Sequence, residues 1–305
     1  MKRILNKKRK LKNKENWGYA AIAPYFIVFT VFGLYPIFYT IFLSFQSWDG
    51  VKPVELLGIG NYVRLLSDEV FLKAIINTVK IWIVNFIPQI LVALILSALF
   101  TFSKIKGMKF FKTAFYLPNL ITAASVGLMF NLLFNGDKSV VNQLLLNLGI
   151  IASPISFLSS GGFAQTVVSY IQWWMWFGYT TIIVIAGMTT VDTQVYEAAM
   201  VDGANTFQTY KRITLPLIKP TIIYIMITSI IGGMQLFDVP TVLTDGAGSP
   251  QKSILTSAMY IYAHAFKYHN YGYASAVSVG LLIIIVILSI ISFRIMHGGK
   301  KYDSE

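Results

Sequence analysis

The stretch Glu197-Ala198-Ala199-Met200-Val201-Asp202-Gly203, continued by Ile213-Thr214-Leu215-Pro216 and Lys219-Pro220, is polar and amphipathic and lies between two long apolar segments. Its length suits two short helices. A chain of this kind, broken by turns, does not sit in hydrocarbon, where every backbone N–H and C=O needs an internal partner. Asp192 is placed as the N-cap of a helix through Tyr196 and Ala199, which Gly203 would end in a left-handed conformation. Asn205 and Gln208 resemble a capping pair for a second helix, and Pro216 and Pro220 would redirect the chain into the next apolar segment. Ala198 and Ala199 are expected to leave a flat, small-residue face beside the Glu197 carboxylate, where another protein could pack closely.

The surroundings of this stretch read as membrane. Of 305 residues, 55% are hydrophobic and 12% charged, with mean hydropathy +0.63, which excludes an ordinary pair of soluble domains. Apolar segments at 19–45, 74–102, 113–134, 163–188, 217–240 and 273–296 each match or exceed the ~20 residues that cross a bilayer core. Pro24 and Pro36 are expected to kink the first. That segment is far longer than a signal-peptide core and lacks a small-residue cleavage site, so it is expected to be retained. In the second, Asn77, Asn85 and Gln89 are expected to face other helices, and Lys80 to snorkel toward the outer end. The absence of cysteine excludes disulfides, thiolate metal sites and a cysteine nucleophile. The net charge of +12 tracks the spans: 18 of the 25 Lys and Arg fall on the side of the two termini and the Glu197 stretch. By the positive-inside rule that side is cytoplasmic, and the basic start is a lipid anchor rather than a nucleic-acid arm.

Glu-Ala-Ala, three residues, Gly, nine residues, then Ile-x-Leu-Pro is filled here by Glu197, Ala198, Ala199, Gly203, Ile213, Leu215 and Pro216. The pattern resembles the cytoplasmic signature loop of permease subunits of binding-protein-dependent ABC importers. Phe115-Tyr116-Leu117-Pro118 and Leu132-Leu133-Phe134-Asn135 are similar to segments of the carbohydrate branch, of maltose or multiple-sugar type, and Gly58-Ile59-Gly60-Asn61-Tyr62 to one that precedes the core domain. The resemblance implies an all-α polytopic membrane protein with about six transmembrane helices, the type I ABC importer permease fold. It implies a basic cytoplasmic tail at 1–18, a first span at 19–45, an extracytoplasmic loop at 46–73, a core of spans two to six at 74–296 containing a cytoplasmic coupling loop at 189–216, and a cytoplasmic tail at 297–305. It further implies a multi-pass protein of a bacterial cytoplasmic membrane. The implied partners are a second permease subunit in a heterodimer, two copies of a cytoplasmic ABC ATPase, an extracytoplasmic solute-binding protein, a carbohydrate and membrane lipid, with no nucleic acid. Glu197, Ala198, Ala199, Asp202, Gly203, Ile213, Leu215 and Pro216 become the ATPase-coupling residues.

The chain has no Gly-x-x-x-x-Gly-Lys-Ser/Thr loop, so no cofactor is expected on it. ATP and magnesium belong on the partner ATPase, and the chain is expected to be non-catalytic. His264, His269 and His297 lack metal-ligand spacing, and the first two are placed in an exposed loop without a role. Asp238 is the one span-embedded carboxylate and lies near an outer end, which argues against a proton- or sodium-coupled carrier. Sugars need aromatic faces and hydroxyl partners. Gln172, Trp176 and Tyr179 share one helical face of the fourth span, and Gln235 and Asp238 one face of the fifth. In maltose-type permeases these two spans line the solute site, so the resemblance makes the five a candidate substrate pathway. Packing or interfacial-belt roles stay open for each aromatic, as does a permease for peptides, amino acids or polyol phosphates, or a stand-alone secondary carrier.

Overall fold

The computed structural model describes residues 18–19, 21–51, 54–103 and 105–298. Residues 1–17 of the expected N-terminal tail and 299–305 of the C-terminal tail lie outside the described residues. The chain divides into two compact units, one of residues 1–67 with 264–280 and one of residues 68–263 with 281–305. Residues 264–280 group with the N-terminal part because Arg64, Trp48 and Gln46 pack on Tyr271, Gly272 and Tyr273.

In the first unit, α1 (Ala21–Leu43) is apolar all round and scarcely buried within the chain. Such a surface is stable only in lipid or against another apolar face. Its π turn at Thr30–Leu34 comes immediately before Pro36, which has no N–H to continue the α-helical ladder. Then β1 (Gln46–Ser47) and β2 (Glu55–Leu56) form a minimal antiparallel hairpin, followed by α2 (Gly60–Leu66). Asn61, at the start of α2, is buried and donates its amide to the carbonyls of Ser44 at 2.9 Å and Gln46 at 2.8 Å. These bonds fix the hairpin to the helix. Gly272 must be glycine, since a Cβ there would overlap the Gln46 carbonyl. His264 is buried edge-on against Tyr273, so the expectation of an exposed histidine fails there, whereas His269 is exposed.

The second unit is built on α3 (Glu69–Phe102), which Asp68 starts by accepting from the backbone N–H groups of Val70 and Phe71. Its 34 residues span about 50 Å. The partner helix is α7 (Gly161–Thr189). Asn77, Ile81, Gln89 and Thr101 of α3 meet Gln165, Ser169, Thr180 and Met188 of α7 in that order, so the two helices run parallel. A chain that enters both in the same direction must cross back once between them. That crossing is α4 (Met108–Leu120) with α5 (Ala123–Phe134), bent by 92°. The expected unbroken third span at 113–134 is therefore broken at 121–122: Ile121 is extended, and the Thr122 hydroxyl caps α5 at Ser125 N–H. Helix α6 (Val140–Asn147) follows.

Beyond α7 come α8 (Thr193–Val201) and α9 (Thr206–Thr209), with α9 continued by a π turn at Tyr210–Thr214. The fifth crossing is also broken, into α10 (Lys219–Met234) and α11 (Asp238–Leu243). After α12 (Ser257–Tyr262) comes α13 (Tyr271–His297); the described residues hold four helices long and apolar enough to cross a membrane, or six if each bent pair counts as one span. The core joins Ile81, Val126, Phe130, Val168 and Ile171 in one cluster and Phe86, Val184, Met188, Ile218 and Ile225 in another. Several polar groups inside are paired across elements: Gln89 donates to the Thr180 hydroxyl at 2.6 Å, and Asn77 to the carbonyls of Lys252 and Leu255, whereas Trp173 Nε1 and the Ser253 and Ser289 hydroxyls are buried without a partner among the described residues.

Close backbone approach between α4 and α7 depends on Gly178, where a Cβ would overlap the Phe115 carbonyl. Gly178→Val is expected to reduce folded protein recovered from the membrane by about tenfold or more, an overpacking penalty of about 1–3 kcal/mol. Gly232→Ala, with nothing within 4 Å of its Cβ, should leave recovery unchanged. Size-exclusion recovery of the two variants in mild detergent checks this.

Candidate functional site

The polar stretch at 189–216 folds as its capping residues direct. Asp192 accepts from Gln194 N–H at 2.9 Å to start α8. At its other end Gly203 has φ +77°, and the N–H groups of Gly203 and Ala204 return to the carbonyls of Met200 and Ala199, closing the helix in a Schellman motif. Asn205 and Gln208 then form a reciprocal capping box, both bonds at 2.9 Å.

The end of α3 holds this loop from both sides. Phe102 meets Tyr196 of α8 edge-on at 5.8 Å and Tyr210 edge-on at 6.2 Å. Tyr210 donates its hydroxyl to the Leu94 carbonyl at 2.8 Å, and burial holds its phenol above the ordinary tyrosine range, so it stays a neutral donor through physiological pH. Thr214, fully buried, donates to the Thr209 carbonyl and approaches the Tyr196 hydroxyl at 3.4 Å. Sequence reading passed over Phe102, Tyr196 and Tyr210, because nothing in a lone aromatic tells what it will pack against.

Of the predicted coupling residues, Glu197, Ala198, Asp202, Gly203 and Pro216 are exposed, while Ile213 and Leu215 are half-buried. Ala199 is buried, so the expected flat face of two alanines is corrected: consecutive helical residues point about 100° apart, and only Ala198 faces outward. Exposed apolar side chains take its place. Met200 is 68% exposed, Val201 88% and Phe207 70%, clustered on the turn around Gly203.

A second feature is a cavity of about 410 Å³ walled by α3, α7, α10 and α11. The cavity unites all five residues expected on the two spans: Gln172, Trp176 and Tyr179 from α7, and Gln235 and Asp238 from the break between α10 and α11. Trp176 and Tyr179 meet edge-on at 5.6 Å. Structure adds Trp82, Asn85 and Gln89 from α3 and Tyr224 and Thr228 from α10. The signal for these was polar or aromatic residues four apart on an apolar helix, as at 85 and 89 and at 224 and 228. Gly233 lets α10 approach the wall, since a Cβ there would overlap the Trp82 indole, whose Nε1–H donates to Ser229 at 3.0 Å. Among the described residues no group of three His, Asp or Glu side chains could hold a metal ion.

Residues 71–298 match the family described as binding-protein-dependent transport system inner membrane component. The lactose transport system permease protein LacF of Rhizobium radiobacter is 36% identical over 250 residues, covering 82% of this chain and 83% of LacF. The arabinooligosaccharides transport system permease protein AraP of Bacillus subtilis is 33% identical over 286 residues, 93% of this chain and 89% of AraP. A crystal structure of a bacterial ABC transporter that imports the acidic polysaccharide alginate contains a chain of similar fold, with TM-score 0.77, 23% identity and coverage of 96% of this chain and 100% of that one. This protein therefore belongs to the family of inner membrane components of binding-protein-dependent transport systems, a permease of all-α, type I ABC transporter fold.

Tyr210→Phe removes one half-buried hydrogen bond between loop and α3, worth about 1 kcal/mol. Trypsin cleavage at the exposed Lys211 and Arg212 should rise about fivefold, with the spans intact. Timed proteolysis in membrane vesicles checks it.

Proposed function

We propose that this chain is one of two permease subunits of an ATP-driven importer that carries a carbohydrate, an oligosaccharide, across the cytoplasmic membrane of a bacterium. Family membership and relatives named for lactose and arabinooligosaccharide transport support the solute class. The observation that carries the mechanism is one of connectivity. The same helices that wall the cavity hold the signature loop: α7 runs into α8, α10 leaves the loop through Leu215–Leu217, and the end of α3 is clamped to it by Phe102.

A displacement of the loop is therefore a displacement of cavity walls. Met200, Val201 and Phe207 offer exposed apolar surface flanked by Glu197 and Asp202, which suits a groove on a separate ATPase. Closure of the ATPase dimer on ATP pulls the loop, α3, α7 and α10 shift with it, and the cavity opens outward to receive solute from a binding protein. Hydrolysis lets the walls return and open inward. ATP and magnesium sit on the partner, which performs the chemistry. The excess of Lys and Arg on the side of the termini and loop supports a cytoplasmic position for all three. In the cavity, Trp176 and Tyr179 offer ring faces to a pyranose, and Gln172, Gln235 and Asp238 offer partners to its hydroxyls.

Affinity purification of the tagged chain from its native membrane is expected to bring down an ABC ATPase and a second six-span permease; isolation of the chain alone, active in vesicles without ATP, would refute the proposal. Glu197→Ala should lower uptake about tenfold while ATP hydrolysis persists, a loss of about 1.4 kcal/mol of coupling contact. In proteoliposomes of the whole importer, Gln172→Ala with Tyr179→Ala should cut uptake about tenfold with assembly unchanged. Unchanged uptake would take the cavity off the solute path.

A further inference from the structure

We infer that the cavity accepts uncharged, hydroxyl-rich solutes and excludes anionic ones, and that Asp238 sets this selection. The inference rests on the reading of the cavity as the solute path. The fold does not dictate charge, because the structurally similar importer takes the acidic polysaccharide alginate.

Selection comes from the wall. Its 21 lining residues include no Lys, Arg or His and a single charged group, Asp238. Asp238 is exposed, and its side chain, like those of Gln172 and Gln235, has no hydrogen-bond partner among the described residues. Several other polar groups are already committed: Asn85 to the Ile81 carbonyl, Gln89 to Thr180 and Trp82 to Ser229. Thr228 likewise donates its hydroxyl to the Tyr224 carbonyl, so the side chains left to meet a solute are chiefly two neutral amides, the tyrosine hydroxyls and one carboxylate.

The break in the fifth crossing adds to this. Helix α10 ends at the cavity, with Gln235 and Leu236 N–H groups folded back onto the Gly232 and Gly233 carbonyls. A helix C-terminus presents carbonyl oxygens and a partial negative charge. The opposite end effect, from the six-residue α11, is met by Asp238 in its own first turn. Carboxylate and helix end therefore act in the same sense. Both accept hydrogen bonds from hydroxyls and both repel an anion, which would have to leave water for a wall with no cation to receive it. Uronates and phosphorylated polyols are disfavoured; neutral sugars are not.

The chain contains no cysteine, so one placed in the cavity reports the local potential without interference from native thiols in this chain. Thr228, exposed on the cavity wall, is the site. In the assembled importer, Thr228→Cys is treated with methanethiosulfonates carrying an ammonium or a sulfonate, and labelling of this chain is followed by mass. Relative to free mercaptoethanol, the cationic reagent should react at least about tenfold faster than the anionic one, the direction that a carboxylate on the same wall imposes. Adding Asp238→Asn should reduce that ratio several-fold. Gln172→Cys, on another helix, repeats the measurement if Thr228→Cys does not assemble. A ratio near one, or one that Asp238→Asn leaves unchanged, overturns the inference. Because the reagents need neither binding protein nor transport, this failure is separate from failure of the solute-path reading, which the uptake of the Gln172→Ala, Tyr179→Ala variant decides.

Discussion

A backbone in hydrocarbon must satisfy its own hydrogen bonds, and every polar side chain carried into the membrane must find a partner or a water-filled space. The architecture of the second unit follows from that constraint. Its long helices solve the backbone problem one crossing at a time. Asn77, Gln89, Gln165, Ser169 and Thr180 then solve the side-chain problem by bonding across α3, α7 and the 252–255 segment. Gln172, Gln235 and Asp238, whose side chains make no such bond, line the cavity where the helices part, while Trp173, Ser253 and Ser289 keep buried polar atoms without a partner among the described residues.

Helix breaks fall where the same constraint can be met by other means. At 121–122 the Thr122 hydroxyl caps the second half of the crossing, and at 235–237 tight turns return the freed N–H groups to Gly232 and Gly233, while Thr256 donates to the Leu236 carbonyl at 2.6 Å. The second break shapes the cavity, because it turns a helix end and a carboxylate toward a space that an unbroken helix would have lined with side chains alone. Glycine permits the close contacts around it: Gly178 against the α4 backbone, Gly233 against Trp82.

Outside the hydrocarbon, the loop at 189–216 is rigid by construction. A Schellman turn at Gly203, a capping box at Asn205 and the Phe102 clamp leave its ends tied to α3, α7 and α10. The loop combines an exposed apolar tip with a half-buried aromatic base.

Much of this was legible in the sequence, and for definite reasons. Hydropathy marks six crossings because the bilayer thickness sets a minimum apolar length, and caps such as Asp192, Gly203 and the Asn205–Gln208 pair act within a few residues of themselves. The same holds for the shared faces of Gln172, Trp176 and Tyr179, which need only helical periodicity. What depends on contacts far apart in the chain was not legible. The 92° bend in the third crossing, the inward turn of Ala199, the burial of His264 against Tyr273 and the grip of Phe102 on two tyrosines depend on neighbours that only the fold supplies. The sequence by itself determined which segments enter the membrane and where the chain must turn, since those are local balances of hydrophobicity and capping. Only the tertiary structure decided which polar residues pair and which face the cavity, because a side chain's partner is chosen by the packing of helices 80 or more residues apart.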